Sequence, residues 1–221
     1  MSARAVIFDL DGTLIHSAPD LQAAANVALA ELGREPVDLA TVVSFIGNGV
    51  EKLVTRCLDH TGGASNDEQA AALTAFMTSY NANMTRLTRP YSGVVDCLTD
   101  LKAEGRSLGI CTNKPTGPAR EVCKALSIDH FFDAILGAEP GVAKKPDPAP
   151  LLACAERLGA APSDVLYVGD SAVDYETAQN AGIAFHFFTG GYLNSKLPAI
   201  PETHKFDHWA AHGIPSALIS T

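Results

Sequence analysis

Asp9 and Asp11 stand at the end of the apolar run Ala5-Val6-Ile7-Phe8, one residue apart and followed at once by Gly12. Two carboxylates so spaced on an extended chain point to the same side, and the charge they concentrate has to be offset by a metal, a proton or a cationic side chain. The pair asks for a metal. A carboxylate can attack phosphorus to form an acyl-phosphate, which splits a hard hydrolysis into two easier displacements, so Asp9 is a candidate nucleophile. Asp11 is the candidate general acid and base, protonating a leaving alkoxide and then deprotonating the attacking water. The plainer use of both residues is to cap a turn before a helix.

Three further fragments place polar residues after apolar runs. Leu108 to Cys111 leads into Thr112 and Asn113, which offer a hydroxyl and backbone amides to phosphoryl oxygens, although Thr-Asn is also an ordinary turn signal. Lys145, in Lys-Pro-Asp-Pro, is a point charge suited to neutralising a phosphoryl group and holding Asp9 ionised. Val165 to Val168 leads into Gly169 and Asp170, placed to complete an oxygen-rich metal site with Asp9. Hard oxygen ligands, few of them from protein and a phosphate on the open side describe Mg²⁺ better than zinc or calcium. Asp174, one helical turn later, either ligates through water or orients Lys145.

The elements that position these groups follow from periodicity. Strands are expected at 5–8, 108–111, 134–136, 165–168 and 183–187, and helices at 94–102, 120–126, 151–158 and 174–180. Such alternation implies a parallel sheet with right-handed crossovers, a Rossmann-like α/β core whose strand ends face the ligand. Between the first two motifs the period is helical throughout. Leu21, Ala24, Ala25, Ala28, Leu29 and Leu32 form one stripe, opened by Ser17 and Pro19 and stopped by Gly33; Val50 to Leu58 and Leu73 to Met84 supply two more. Residues 16–87 are therefore expected to be an inserted all-helical cap, with the catalytic core at 1–15 and 88–221 and hinges near His16 and Leu87.

Taken in order, the segments DLDGTL, TN, KPDP and GDSAVD resemble the four motifs of the haloacid dehalogenase superfamily, and TNKP with KPDP looks like its phosphoglycolate phosphatase group. The resemblance implies a Mg²⁺-dependent phosphate monoester hydrolase with a phosphoaspartyl intermediate at Asp9, and with Asp11 as acid and base also offering its backbone carbonyl to the metal. It implies Lys145 rather than Lys144, because the family's lysine immediately precedes proline. The substrate it implies is phosphoglycolate; relatives with the same core motifs act on sugar phosphates, an amino-sugar phosphate or pyrophosphate. Dehalogenases lack the second acid that Asp11 supplies, and mutases usually carry a smaller apolar residue where Thr13 stands. A non-catalytic phosphate-binding module could dispense with Asp9 or Asp170, whereas this chain keeps both. The family's Gly-Asn-Gly segment matches Gly47-Asn48-Gly49, whose glycines allow close approach, and so Asn48 is expected to face the leaving group.

Composition is consistent with a small-molecule enzyme. The 221 residues carry a net charge of −9, which disfavours nucleic acid as a partner. No apolar stretch approaches a membrane span and no signal-peptide pattern precedes the first strand, so a soluble, cytoplasmic monomer or homodimer acting on a small phosphorylated metabolite is expected. Cys57, Cys97, Cys111, Cys123 and Cys154 lack metal spacing and read as reduced, buried side chains. His204, His208 and His212 recur every four residues and read as one face of a solvated or partly packed helix, and the last residues as a short helix.

Overall fold

The computed structural model describes residues 3–193 and 199–209. Strand β1 (Ala5–Phe8) has no polar side chain and is wholly buried, because it runs through the centre of a sheet covered on both faces. It pairs with β4 (Ser107–Pro115) on one side and β6 (Val165–Gly169) on the other; β5 (Ala134–Ala138), β7 (Ala184–Phe188) and β8 (Lys205–Phe206) complete the order β5-β4-β1-β6-β7-β8. Every pairing is parallel. The chain builds outward from β1 to β5 and then crosses to β6, so the C-terminal ends of β1, β4 and β6 flank the point where the order reverses. That is where open α/β sheets leave a crevice.

Four helices lie between β1 and the rest of the sheet: α1 (Ala18–Glu31), α2 (Leu39–Phe45), α3 (Val50–His60) and α4 (Asn66–Asn83). Helices α5 (Val94–Ala103), α6 (Thr116–Ala125), α7 (Ala149–Arg157) and α8 (Ala172–Ala181) connect the remaining strands. Leu21, Leu29, Leu58 and Phe76 of the first group share one apolar cluster with Val6, Phe8 and Ile110 of the sheet. Ile7, Cys111, Cys154, Tyr167 and Phe185 form the cluster on the opposite face. All five cysteines are buried. No helix among the described residues is long and apolar enough to cross a membrane.

Two helices differ from the periodicity for identifiable reasons. Helix α4 starts seven residues before the expected Leu73, on a capping box in which Ser65 Oγ accepts from Glu68 N and Glu68 accepts from Ser65 N. Its first turn is polar, so apolar spacing does not show it. Helix α2 has a single buried residue, Val42, and no stripe to read; Asp38 caps it by accepting from Thr41 N at 2.7 Å.

The chain enters and leaves the four-helix segment through a short antiparallel pair, β2 (Ile15–His16) with β3 (Arg89–Pro90). Asp20, at the start of α1, accepts from Thr88 N and Thr88 Oγ1, both at 2.7 Å, and so ties entry to exit. The expected histidine face is not formed. Glu202–His204 is a single 3₁₀ turn, and the next residues are extended because Lys205 and Phe206 pair with Phe187 and Phe188 of β7. His212 and the expected C-terminal helix lie outside the described residues.

Candidate active site

Helix α8 opens on a second capping box, and this one organises a charge. Ser171 Oγ accepts from Asp174 N at 3.2 Å, while Asp174 Oδ2 accepts from Ser171 N at 3.1 Å and Oγ at 2.5 Å. Oδ1 is left for Lys145 Nζ at 2.6 Å and the Tyr167 hydroxyl at 2.8 Å. Lys145 also donates to Tyr167 at 2.8 Å. Its backbone is held by Asn113, whose Oδ1 accepts from Lys145 N at 3.0 Å and whose Nδ2 donates to Lys145 O at 3.1 Å. Asn113 Nδ2 further donates to Gly47 O at 3.2 Å. The side chain of Asn113 is therefore taken up in positioning Lys145 and in joining β4 to the α2–α3 connection; the groups expected at phosphate in this segment are backbone amides and the Thr112 hydroxyl, not this side chain.

Lys145 Nζ lies 2.9 Å from Asp9 Oδ1 as an ion pair without hydrogen-bond alignment, so this buried oxygen has no hydrogen-bond partner. Burial works against the lysine charge, yet Asp174 and Asp9 together hold its pKa above the ordinary value. Burial pushes Asp9 up to about 6, opposed by Lys145 and reinforced by Asp174. Asp170 is also raised well above the usual carboxylate range, by burial and then by the charges of Asp174 and Asp9.

Asp9, Asp170 and Asp174 bring carboxylate oxygens within 4.8 Å of one another, all buried. Asp170 is fixed by Thr13 Oγ1 donating to Oδ1 and Tyr192 N donating to Oδ2, both at 2.6 Å. Gly12, at φ +89°, and Gly191 press against it: a Cβ on either would lie 2.3 Å from its side chain. Three buried acids against one ammonium, with an orphaned oxygen on Asp9, fit a hard divalent cation.

The carboxylate of Asp11 is elsewhere. It pairs with Lys114 Nζ at 3.1 and 3.2 Å, not with the Asp9 cluster, contrary to the expectation that both acids point the same way. Strand β1 ends at Phe8, and Leu10 O accepts from Leu14 N at 3.0 Å and Ile15 N at 3.1 Å; this tight turn swings Asp11 aside. Lys114, overlooked within Thr-Asn-Lys, also donates to the hydroxyl of Tyr80 on α4 at 2.6 Å. Tyr80 sits at core spacing and Tyr167 inside an apolar run, so neither signals a polar role in sequence.

A small cavity of about 40 Å³ lies over these groups. Asp9, Asp11, Thr112, Asn113 and Lys114 form one wall, and Leu21, Ile46, Val50 and Leu53 with the backbone of Gly47 and Gly49 form the other. Asn48 is not on the wall. Its Oδ1 accepts from Arg56 at 2.8 Å, beside the 2.7 Å bond from Arg56 to Phe45 O, so it shapes the connection rather than facing a leaving group. Asn48→Ala is accordingly expected to lower kcat/KM by the same factor, no more than about tenfold, for a natural substrate and for p-nitrophenyl phosphate. A loss confined to the natural substrate, measured side by side, would return Asn48 to the substrate.

The sequence profile of haloacid dehalogenase-like hydrolases matches residues 6–188. The chain belongs to this family. The matched span of this haloacid dehalogenase-like hydrolase runs from β1 through β7 and takes in nearly every polar side chain described above. A phosphoglycolate phosphatase of Cereibacter sphaeroides is 46% identical over 204 residues, covering 92% of this chain and 93% of the relative. One from Rhodospirillum rubrum strain ATCC 11170 is 37% identical over 215 residues, covering 95% and 89%. Among solved structures, a predicted phosphoglycolate phosphatase from Haemophilus somnus 129PT superposes with a TM-score of 0.87 at 33% identity, covering 95% of this chain and 96% of that one.

Proposed function

We propose that the protein is a Mg²⁺-dependent phosphate monoester hydrolase that forms a phosphoaspartyl intermediate at Asp9, and that its substrate is phosphoglycolate. The observation that carries the chemistry is Lys145, clamped by Asp174 and Tyr167 and held 2.9 Å from Asp9 at the end of the central strand. The substrate reading rests on the relatives, which bear that name over most of their length, and on the small cavity.

Asp9 attacks phosphorus while the protonated Asp11 carboxyl gives its proton to the departing ester oxygen, so the alcohol leaves neutral at that oxygen. Asp11, now a carboxylate, takes a proton from water as the water oxygen attacks the aspartyl phosphate, and Asp9 is regenerated. Lys145 keeps Asp9 ionised and draws the phosphoryl oxygens towards it; Thr112, also buried, lines the same cavity. Asp9, Asp170 and the backbone carbonyl of Asp11 would hold magnesium, which neutralises charge on the transferring phosphoryl group when bound. Residues 16–87 act as a cap whose apolar side, Leu21, Ile46, Val50 and Leu53, excludes water from the first displacement. Five buried cysteine thiols suit the reducing cytoplasm.

Exhaustive chelation with EDTA is expected to abolish turnover, Mg²⁺ to restore it and excess Ca²⁺ to inhibit, because a larger and more loosely coordinated ion misplaces nucleophile and phosphorus. Full activity after chelation removes the metal from the account. In a panel of phosphorylated two- and three-carbon acids, sugar phosphates, amino-sugar phosphates and pyrophosphate, phosphoglycolate is expected to show the highest kcat/KM. A higher value for any other class overturns the substrate assignment but leaves the chemistry at Asp9 standing.

A further inference from the structure

Lys114 is the cation on the cavity wall that the reaction at phosphorus does not use. Its side chain is 3% exposed, and among the described residues Asp11 is the one anion in contact with it. The Tyr80 hydroxyl accepts a hydrogen bond from it at 2.6 Å and is neutral, since burial pushes this phenol up. The ammonium also lies 4.8 Å from the centre of the Tyr80 ring.

Nζ carries three N–H donors, and a ligand that brings a further anion to this buried ammonium is favoured. Geometry restricts which anion can do so. The Asp11 carboxyl, the group assigned to the ester oxygen of the leaving group, lies 3.1 Å from Lys114 Nζ. An anionic group on the carbon next to the ester oxygen therefore falls within reach of Nζ. The Tyr80 hydroxyl accepts from Lys114 and retains its own proton to donate to the same group.

We propose that Lys114 is the specificity-determining residue of this site, pairing with a carboxylate carried one carbon from the ester oxygen of the leaving group. The proposal rests on the phosphoglycolate reading and adds to it the residue that selects that substrate. Lys114 holds the substrate carboxylate and so orients the ester oxygen towards Asp11; the hydroxy acid leaves Lys114 once the P–O bond has broken. Leaving groups without the carboxylate lose this contact and react slowly.

The test compares kcat/KM for phosphoglycolate and for ethyl phosphate, which lacks the carboxylate, on one preparation of each enzyme, so that losses common to both substrates cancel. Wild type is expected to prefer phosphoglycolate by about a hundredfold or more. Lys114→Met is expected to bring the ratio to within about threefold of unity. Lys114→Gln keeps a hydrogen bond to Tyr80, is expected to behave alike, and supplies the ratio if the methionine variant does not fold. Lys114→Arg is expected to retain at least about a tenth of the preference, because it keeps the charge. A neutral variant with the wild-type ratio overturns the role of Lys114 alone. A wild-type enzyme without the preference overturns the substrate reading, and this inference with it.

Discussion

Asp9→Asn is expected to lower kcat on phosphoglycolate by at least about four decades while the protein folds normally. The amide keeps the shape of the side chain and removes the nucleophile, and the buried acids beside it, Asp170 and Asp174, are committed to other bonds. Stability should move the other way. Burial, opposed by Lys145 and reinforced by Asp174, raises Asp9 to about 6. An acid whose pKa is higher folded than unfolded contributes stability only while protonated, and loses it as pH rises through the folded value. At pH 7.5 without metal the ionised Asp9 therefore weighs against the fold, and the neutral amide removes that cost. The melting temperature of Asp9→Asn should be equal to or above that of wild type in EDTA. Retention of even a tenth of the activity would mean that another group attacks phosphorus.

Lys145→Met is expected to damage both activity and fold. Lys145 is the shared partner of Asp9 and Asp174, and the Asp174 side chain is 0% exposed. Removing one member of a buried ion pair leaves the other charge without compensation, at a cost of about 3 to 5 kcal/mol. Methionine fills the aliphatic volume, so the loss measured by urea unfolding at neutral pH reports the charge rather than a cavity. In the folded fraction, kcat should fall by at least about three decades, since Lys145 is the cation paired with Asp9 and steers the phosphoryl oxygens towards it. A variant as stable as wild type would show that the bonds Asp174 already accepts from Tyr167 at 2.8 Å and Ser171 at 2.5 Å suffice, and that the clamp is not held together by charge.

Much of the sheet was legible because its strands are short apolar runs ended by glycine or by polar residues, and a fully buried strand has no other composition available. Asp9, Asp170 and Lys145 were legible as well, each standing just past such a run or opening a helical pattern. Direction was harder. Whether Asp11 points towards Asp9 depends on the turn at Leu10, whose hydrogen bonds to Leu14 and Ile15 are not written in the spacing of the acids. Asn48 is a residue of the right type in the right segment, yet its amide oxygen is committed to Arg56, 8 residues away, and the side chain of Asn113 meets Lys145, 32 residues away, a contact that spacing does not show. Asp174 carried two readings that sequence could not separate. The capping box at Ser171 consumes Oδ2 and leaves Oδ1 to orient Lys145, which is a matter of where helix α8 begins. Lys114 and Tyr80 meet only because α4 packs over the end of β4, a tertiary contact between residues 34 apart in sequence.

The central claim is that Asp9, and not water, makes the first bond to phosphorus. Its most direct test is the stereochemistry of hydrolysis with a substrate made chiral at phosphorus by isotopic oxygen and sulfur. Attack by Asp9 followed by attack of water inverts phosphorus twice, so the account predicts inorganic product with net retention of configuration. Net inversion would mean a single displacement by water, and would contradict it.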